Sequence, residues 1–561
     1  MKYNKTKRTL ALVCALAAGA SAFTGCKKKE DTEQTLELLL WDAGYGTEWC
    51  SDMLDAFKEE DWVKEKYPNL EIIFNADGNS STLTTKINAG EKANTVDIFM
   101  GTGMAKYEGA DSSGYEMMSD LTDVVYNQKV PGEDVTVKEK MDDSALESLR
   151  YYEKGQDSNS PDVPFKAYAF PWVGGMDSIM YNADYLEMID MEVPLTTDQF
   201  LAACQTIVDE KPFSYNLQAN GDYAILTSSS GHYWYNLYPT WWAQYEGMEE
   251  YYNFCNGVAN NRISAEVHLQ KGKLYSLQVM EEILEWDNGY VYQKRTGLEF
   301  MQAQTNFVKG EGVFYSNGDW FAKEMEQTMK DVKEMLGVEY DIRMMQLPIV
   351  SAIIEKTPSI PDDETLQAVI RAIDGGCATK QMASQANFKG YELLADVTED
   401  DYQTILEARG IVHSTGTTHR ALVPSYAKGK EVAFDFLRFM ATDKAQEIYI
   451  SRTGGSSLPF DYDVERKNPD LYEQLLPIGK DYMNIKYNTV CGMNVLPDPD
   501  AFPLMKWGEM RPVYSLSGNS LVSYFASKES TGTAQQLYDD DIKYYITDGG
   551  FDRCKTLAGL N

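Results

Sequence analysis

The chain has 561 residues, 43% apolar, 12% aromatic and 24% charged. At roughly 100–200 residues per domain it has material for two or more lobes with large cores, which excludes a disordered tail, a collagen or a small disulfide scaffold. Lys plus Arg total 51 against 86 Asp plus Glu, a net charge of −35. Such a surface repels phosphate backbones, which speaks against nucleic acid as a partner, and disfavours anionic ligands unless a local basic pocket exists.

The first residues form a targeting segment. Lys2, Lys5, Lys7 and Arg8 make a basic start, and Leu10–Ala18 is an apolar run too short to span a bilayer. Phe23-Thr24-Gly25-Cys26 follows, then Lys27-Lys28-Lys29. This resembles a bacterial lipoprotein signal over 1–25, with Cys26 as the residue that receives the lipid and 26–35 as a tether. Phe23 stands where that signal usually carries Leu, Val or Ile. More than one acyl chain makes such an anchor stable. A plain cleaved secretory signal is the alternative. Of the eight cysteines, none forms a C-x-x-C pair, so zinc-ribbon and thioredoxin chemistry are out. The remainder read as small buried hydrophobes rather than a disulfide framework.

In chain order, Leu36–Trp41 reads as a buried strand and Glu48–Lys64 as a helix, with Trp49, Met53, Ala56 and Phe57 on one face. Leu70–Phe74 is a second strand, Leu83 and Ile87 mark a short helix that Gly90 caps, and Thr95–Met100 is a third strand. This alternation predicts an α/β lobe with a largely parallel sheet. Further strands are expected at Ala167–Trp172 and Ser178–Asn182, and helices at Thr197–Asp209 and Lys273–Asp287. Asp362–Ile373 and Glu399–Ala408 read as surface helices, and Glu431–Arg452 as one long helix ending before Gly454-Gly455.

Four segments carry a resemblance to a known family. They are Leu38–Gly46, Val96–Gly101, Ala167–Trp172 with Tyr181-Asn182, and Glu311–Trp320. In this order they resemble the family 1 extracellular solute-binding proteins, the sugar-binding lipoproteins of bacterial ABC importers, which are maltose-binding-protein-like. The resemblance implies a periplasmic-binding-protein-like fold: two α/β lobes joined by a multi-strand hinge, with a ligand cleft between them that closes by hinge bending. The N-terminal lobe would hold 36–170 with 411–455, and the C-terminal lobe 171–410 with 456–561. Residues 351–410 have no counterpart and read as an insertion. It further implies a monomer on the extracellular face of the cell membrane of a Gram-positive bacterium, delivering a saccharide to ABC permease subunits without a cofactor or metal.

A neutral oligosaccharide offers apolar C–H ring faces and a rim of hydroxyls, which aromatic rings and planar polar side chains match. The chain has 10 Trp and 37 Tyr. By position in the family pattern, Trp172 and Trp320 are the first candidates to touch ligand. Tyr233, Trp234 and Trp241 come next, in a Gly- and Ser-flanked stretch with Tyr235 and Trp242, and Trp507 falls where a late stacking aromatic would. Asp42 and Tyr45 follow the first strand, where the family uses polar groups. Each has a structural alternative: Trp41 ends a buried strand, Asp42 could cap the following turn. Trp172 and Trp320 could pack at the lobe interface, one of Trp241 and Trp242 is expected in the core, and Asp319 could be a helix N-cap.

Enzymatic readings fare worse. With 86 acids, any chosen carboxylate pair is uninformative for a glycosidase. Ser425–Lys428 spells S-x-x-K without S-D-N or K-T-G. Gly101-Thr102-Gly103 lacks the third glycine of a dinucleotide loop and reads as cleft-facing backbone. The four histidines form no H-E-x-x-H. The readings left beside the saccharide receptor are a binding protein for peptide or polyamine, a surface adhesion lipoprotein, and an extracellular glycan-degrading enzyme.

Overall fold

Strand β1 (Thr35–Trp41) opens the computed structural model, which describes residues 34–110, 114–213, 223–228, 233–291, 298–511, 524–525 and 532–560. The expected signal peptide over 1–25, Cys26 and nearly all of the tether lie outside the described residues. In β1 the run Leu36–Leu40 is almost wholly buried, as a strand covered on both faces requires. It pairs in parallel with β2 (Glu71–Asp77) and β3 (Ile98–Gly101). Helix α1 (Glu48–Glu59) turns Trp49, Met53 and Phe57 inward. The single helix expected to Lys64 is broken at Glu60, whose ψ of 135° is extended, and α2 (Asp61–Lys66) restarts at once. Helix α3 (Ser80–Ala89) stops at Gly90, which takes φ 64°.

The rest of the first sheet comes from far along the chain. Strand β4 (Ala169–Pro171) is its edge.

The second sheet is antiparallel, with β5 (Asp177–Asn182) between β6 (Phe314–Gly318) and β7 (Ile342–Met345). Its side chains alternate between two cores: Ile179, Phe314 and Met345 face one, Met180, Tyr315 and Met344 the other. The first of these cores is completed by α4 (Thr197–Glu210), α5 (Trp234–Glu246), α6 (Gly272–Leu284), α7 (Asp363–Asp374) and α8 (Glu399–Gly410). Helix α7, expected on the surface, buries Leu366, Val369, Ile370 and Ile373, because its apolar residues share one face.

Strand β8 (Arg420–Leu422) then returns to the first sheet, antiparallel between β3 and β4. Helices α9 (Lys430–Met440) and α10 (Asp443–Thr453) add Phe436, Phe439 and Tyr449 to its core. The long helix expected over Glu431–Arg452 is therefore two. Thr442 is extended and its side chain accepts the Ala445 N–H, so an N-cap interrupts an otherwise continuous apolar pattern. The chain leaves α10 for α11 (Pro477–Tyr487), which packs on β7. Among the described residues, three stretches thus pass between the sheets: 172–176, 413–419 and 454–463.

Among the described residues, six cysteines are unpaired and five of them buried, and no helix is long and apolar enough to cross a membrane.

Candidate functional site

The strand ends of the two sheets meet at an aromatic seam. After β1 the chain turns sharply through Gly44 (φ 88°) and Gly46 (φ 71°), conformations that favour glycine. A Cβ on Gly44 would stand 3.1 Å from Trp320 Cδ1, so the absence of a side chain lets this loop reach the segment after β6. Between the glycines, Tyr45 folds inward to 1% exposure. Its ring centroid lies 6.2 Å from each of Trp172, Trp320, His419 and Tyr449. His419 stacks on Trp41 at 5.5 Å and meets Trp172 edge-on at 5.0 Å. Tyr233 meets Trp320 edge-on at 5.1 Å and holds φ 68°, a left-handed backbone unusual for a bulky residue.

Polar groups rim this cluster. Asp42 is exposed, and Trp41, Thr102, Thr418, Tyr233 and Glu324 are half-buried. Thr102 at the end of β3 and Thr418 before β8 bring their hydroxyls to 3.2 Å. Glu324 accepts Gln304 Nε2 at 2.9 Å, and burial holds its carboxyl above the ordinary range, with the Asp42 charge adding to the effect. Within the seam, Tyr45 OH and Trp172 Nε1 are buried without a hydrogen-bond partner.

Of the candidate residues, Tyr45, Trp172, Tyr233 and Trp320 converge here, with Asp42 at the rim. Trp172 is fully buried and stacks on Trp49 at 5.6 Å, so it forms the floor. Asp319 is 2% exposed and caps no helix; its carboxylate accepts the Met176 N–H at 3.1 Å and the Ser456 hydroxyl. Burial pushes that carboxyl up to about 7. Trp234 and Trp241 sit within the second core, both fully buried, with Trp241 Nε1 donating to the Pro348 carbonyl at 3.0 Å. Trp242 is equally buried, its Nε1 donating to Gln270. Helix α5 carries too many rings for one face, and the core takes them. Trp507 is half-buried elsewhere, donating to the Tyr152 carbonyl and lining a separate groove of about 570 Å³ with Lys106, Tyr115 and Tyr151.

Sequence reasoning missed His419, Thr418 and Glu324. Nothing local distinguishes them; only the return of β8 to the first sheet brings the Thr418-His419 pair beside Trp41. Among the described residues, no three His, Cys, Asp or Glu side chains gather as metal ligands.

Comparison with known proteins gives a consistent picture. Residues 48–345 match the family model described as bacterial extracellular solute-binding protein. No curated protein matches the sequence. Among solved structures, an ABC substrate-binding protein from Listeria monocytogenes in complex with cycloalternan is similar, at TM-score 0.54 and 13% identity over 95% of this chain and 100% of that one. A chitin oligosaccharide binding protein follows, at TM-score 0.52 and 14% identity over 92% and 99%. A maltose-bound protein of T. maritima has TM-score 0.51 and 12% identity over 91% and 100%. At such identities these matches establish the fold.

Proposed function

Because the chain belongs to the bacterial extracellular solute-binding protein family, we propose that it is the receptor of an ABC importer, held to the membrane by a lipid on Cys26, that grips a neutral oligosaccharide at the aromatic seam and hands it to the permease. The observation that carries this reading is the meeting of Trp41, Tyr45, Tyr233, Trp320 and His419 from both sheets, rimmed by Asp42, Thr102, Thr418 and Glu324. Rings suit the C–H faces of a sugar, and hydroxyl and carboxylate groups suit its edges. The sheets would part and close about the three crossings. Sugar complexes among structures of the same fold support the choice of ligand class. No bond-breaking step is needed of such a protein.

The acids at the rim, Asp42 and Glu324, favour a second reading in which a polyamine or peptide amine is bound.

Both readings are tested by thermal unfolding of the chain from residue 27 onward with malto-, chito- and cyclic oligosaccharides, and separately with spermidine. A ligand at 100 times its Kd adds about 2.7 kcal/mol. With an unfolding entropy of about 2.1 cal/mol/K per residue, this raises Tm by roughly 2–3 °C. Trp320→Ala is expected to abolish that increment. Silence across the oligosaccharides at millimolar concentration, with a response to spermidine, would replace the first reading by the second.

A further inference from the structure

Two neighbouring carboxylates hold all three crossings. Strands β5 and β6 are antiparallel with Asp177 opposite Gly318, so Asp177 and Asp319 stand at the same strand-end side of the second sheet. Asp319 accepts the Met176 N–H of the first crossing and the Ser456 hydroxyl of the third. Asp177 faces His413 Nδ1 of the second crossing at 2.7 Å, and its own N–H donates to the His413 carbonyl at 2.9 Å. Asp177 also accepts Asn236 Nδ2 at 3.2 Å. Glycine makes this closeness feasible: a Cβ on Gly175 would fall within the Asp319 carboxylate, and one on Gly174 would stand 2.9 Å from the Leu458 backbone. Both carboxylates are 2% exposed.

We propose that Asp319 and Asp177 are positioning residues: a carboxylate clamp that gathers the three crossings and sets how readily the two sheets part, without touching ligand. The inference rests on the hinge motion of the binding-protein reading, but its test needs no ligand.

A readout separates this role from plain packing. The groups that face Asp319 are Asp177 from β5, Tyr45 from the loop after β1, Tyr449 from α10 and Tyr482 from α11. Lys486 lies beyond Tyr482, against Asp142, and His413 lies against Asp177. Among the described residues no cation pairs with Asp319. Burial and the Asp177 charge therefore favour a protonated Asp319 while the clamp is shut, the acid then donating to Ser456 Oγ while still accepting the Met176 N–H. When the crossings separate, water reaches the carboxyl and its pKa returns toward about 3.9. Opening thus releases a proton, and its equilibrium constant rises with pH by up to about tenfold per unit between the two values.

The experiment is hydrogen exchange of the chain from residue 27 onward, read in peptides covering 172–177 and 454–460 at pH 5 to 8 and corrected for intrinsic exchange. In the wild type the opening constant rises steeply from pH 5 to 7 and levels above. Asp319→Asn keeps the crossings protected and flattens that slope. Asp319→Ala speeds their exchange at least tenfold at every pH, with α7 as the internal control. Equal slopes in wild type and Asp319→Asn overturn the proposal, and so does unchanged exchange in Asp319→Ala. If the alanine variant does not fold, the asparagine slope decides alone. A protein that keeps the slope but binds no oligosaccharide would defeat the ligand assignment and leave the clamp standing.

Discussion

Arg420→Met is the sharpest probe of how the first sheet is held. Arg420 is 2% exposed on β8 and divides its guanidinium between Glu108 Oε1 at 2.5 Å and Asp498 Oδ2 at 2.7 Å, with a further bond to the Ser148 carbonyl at 3.3 Å. Both carboxylates are buried, and the nearest remaining cation is Lys506, 3.8 Å from Glu108. Methionine preserves the apolar stem but leaves Asp498 with no ion-pair partner among the described residues and Glu108 with Lys506 alone, a loss of about 3–5 kcal/mol at pH 8. For 561 residues the unfolding entropy is near 1 kcal/mol per degree, so Tm is expected to fall by about 3–5 °C. Thermal unfolding at pH 8 measures it, and adding Glu108→Gln and Asp498→Asn is expected to restore most of the loss. A penalty under about 1 kcal/mol at pH 8 would refute the argument from buried charge.

Asp541→Asn should make stability depend on pH. It strands Lys273, 1% exposed, whose pKa burial already lowers. Lysine in the unfolded chain binds a proton that the folded variant resists, so the loss, about 3–5 kcal/mol near neutrality, eases toward pH 10; a denaturant titration at pH 6 and 9 checks it. For the thiols, the chain from residue 27 onward is expected to react first at Cys491, since the other five are buried and burial raises Cys50, Cys204 and Cys255 far above the ordinary thiol range. Mass spectrometry after alkylation reads this directly, and early labelling of Cys50 would contradict it.

How much was legible depended on whether the signal was local. Leu36–Trp41 and Thr95–Met100 announce buried strands because most of their side chains are apolar, and the structure starts the latter at Ile98. The sharp loop after β1 was readable because two glycines flank Tyr45. Periodicity failed where an extended cap interrupts an unbroken apolar stripe, at Thr442, and where a short irregular step at Glu60 leaves both flanks helical. Aromatic density on α5 looked the same whether aimed at a cleft or a core, so Trp234 and Trp241 could not be separated from Tyr233 by sequence. The rim was illegible for a different reason. Thr418 and His419 meet Trp41 and Thr102 only because β8 pairs with β3 over three hundred residues away.

That pairing also dictates an order of events during synthesis. Edge strand β4 touches the rest of its sheet only through β8, so the half-made chain leaves β3 with a bare, sticky border until Leu422 has emerged. Loop closure over such a span is slow, and maturation of the amino-terminal half must wait for a late visitor from the carboxy-terminal half.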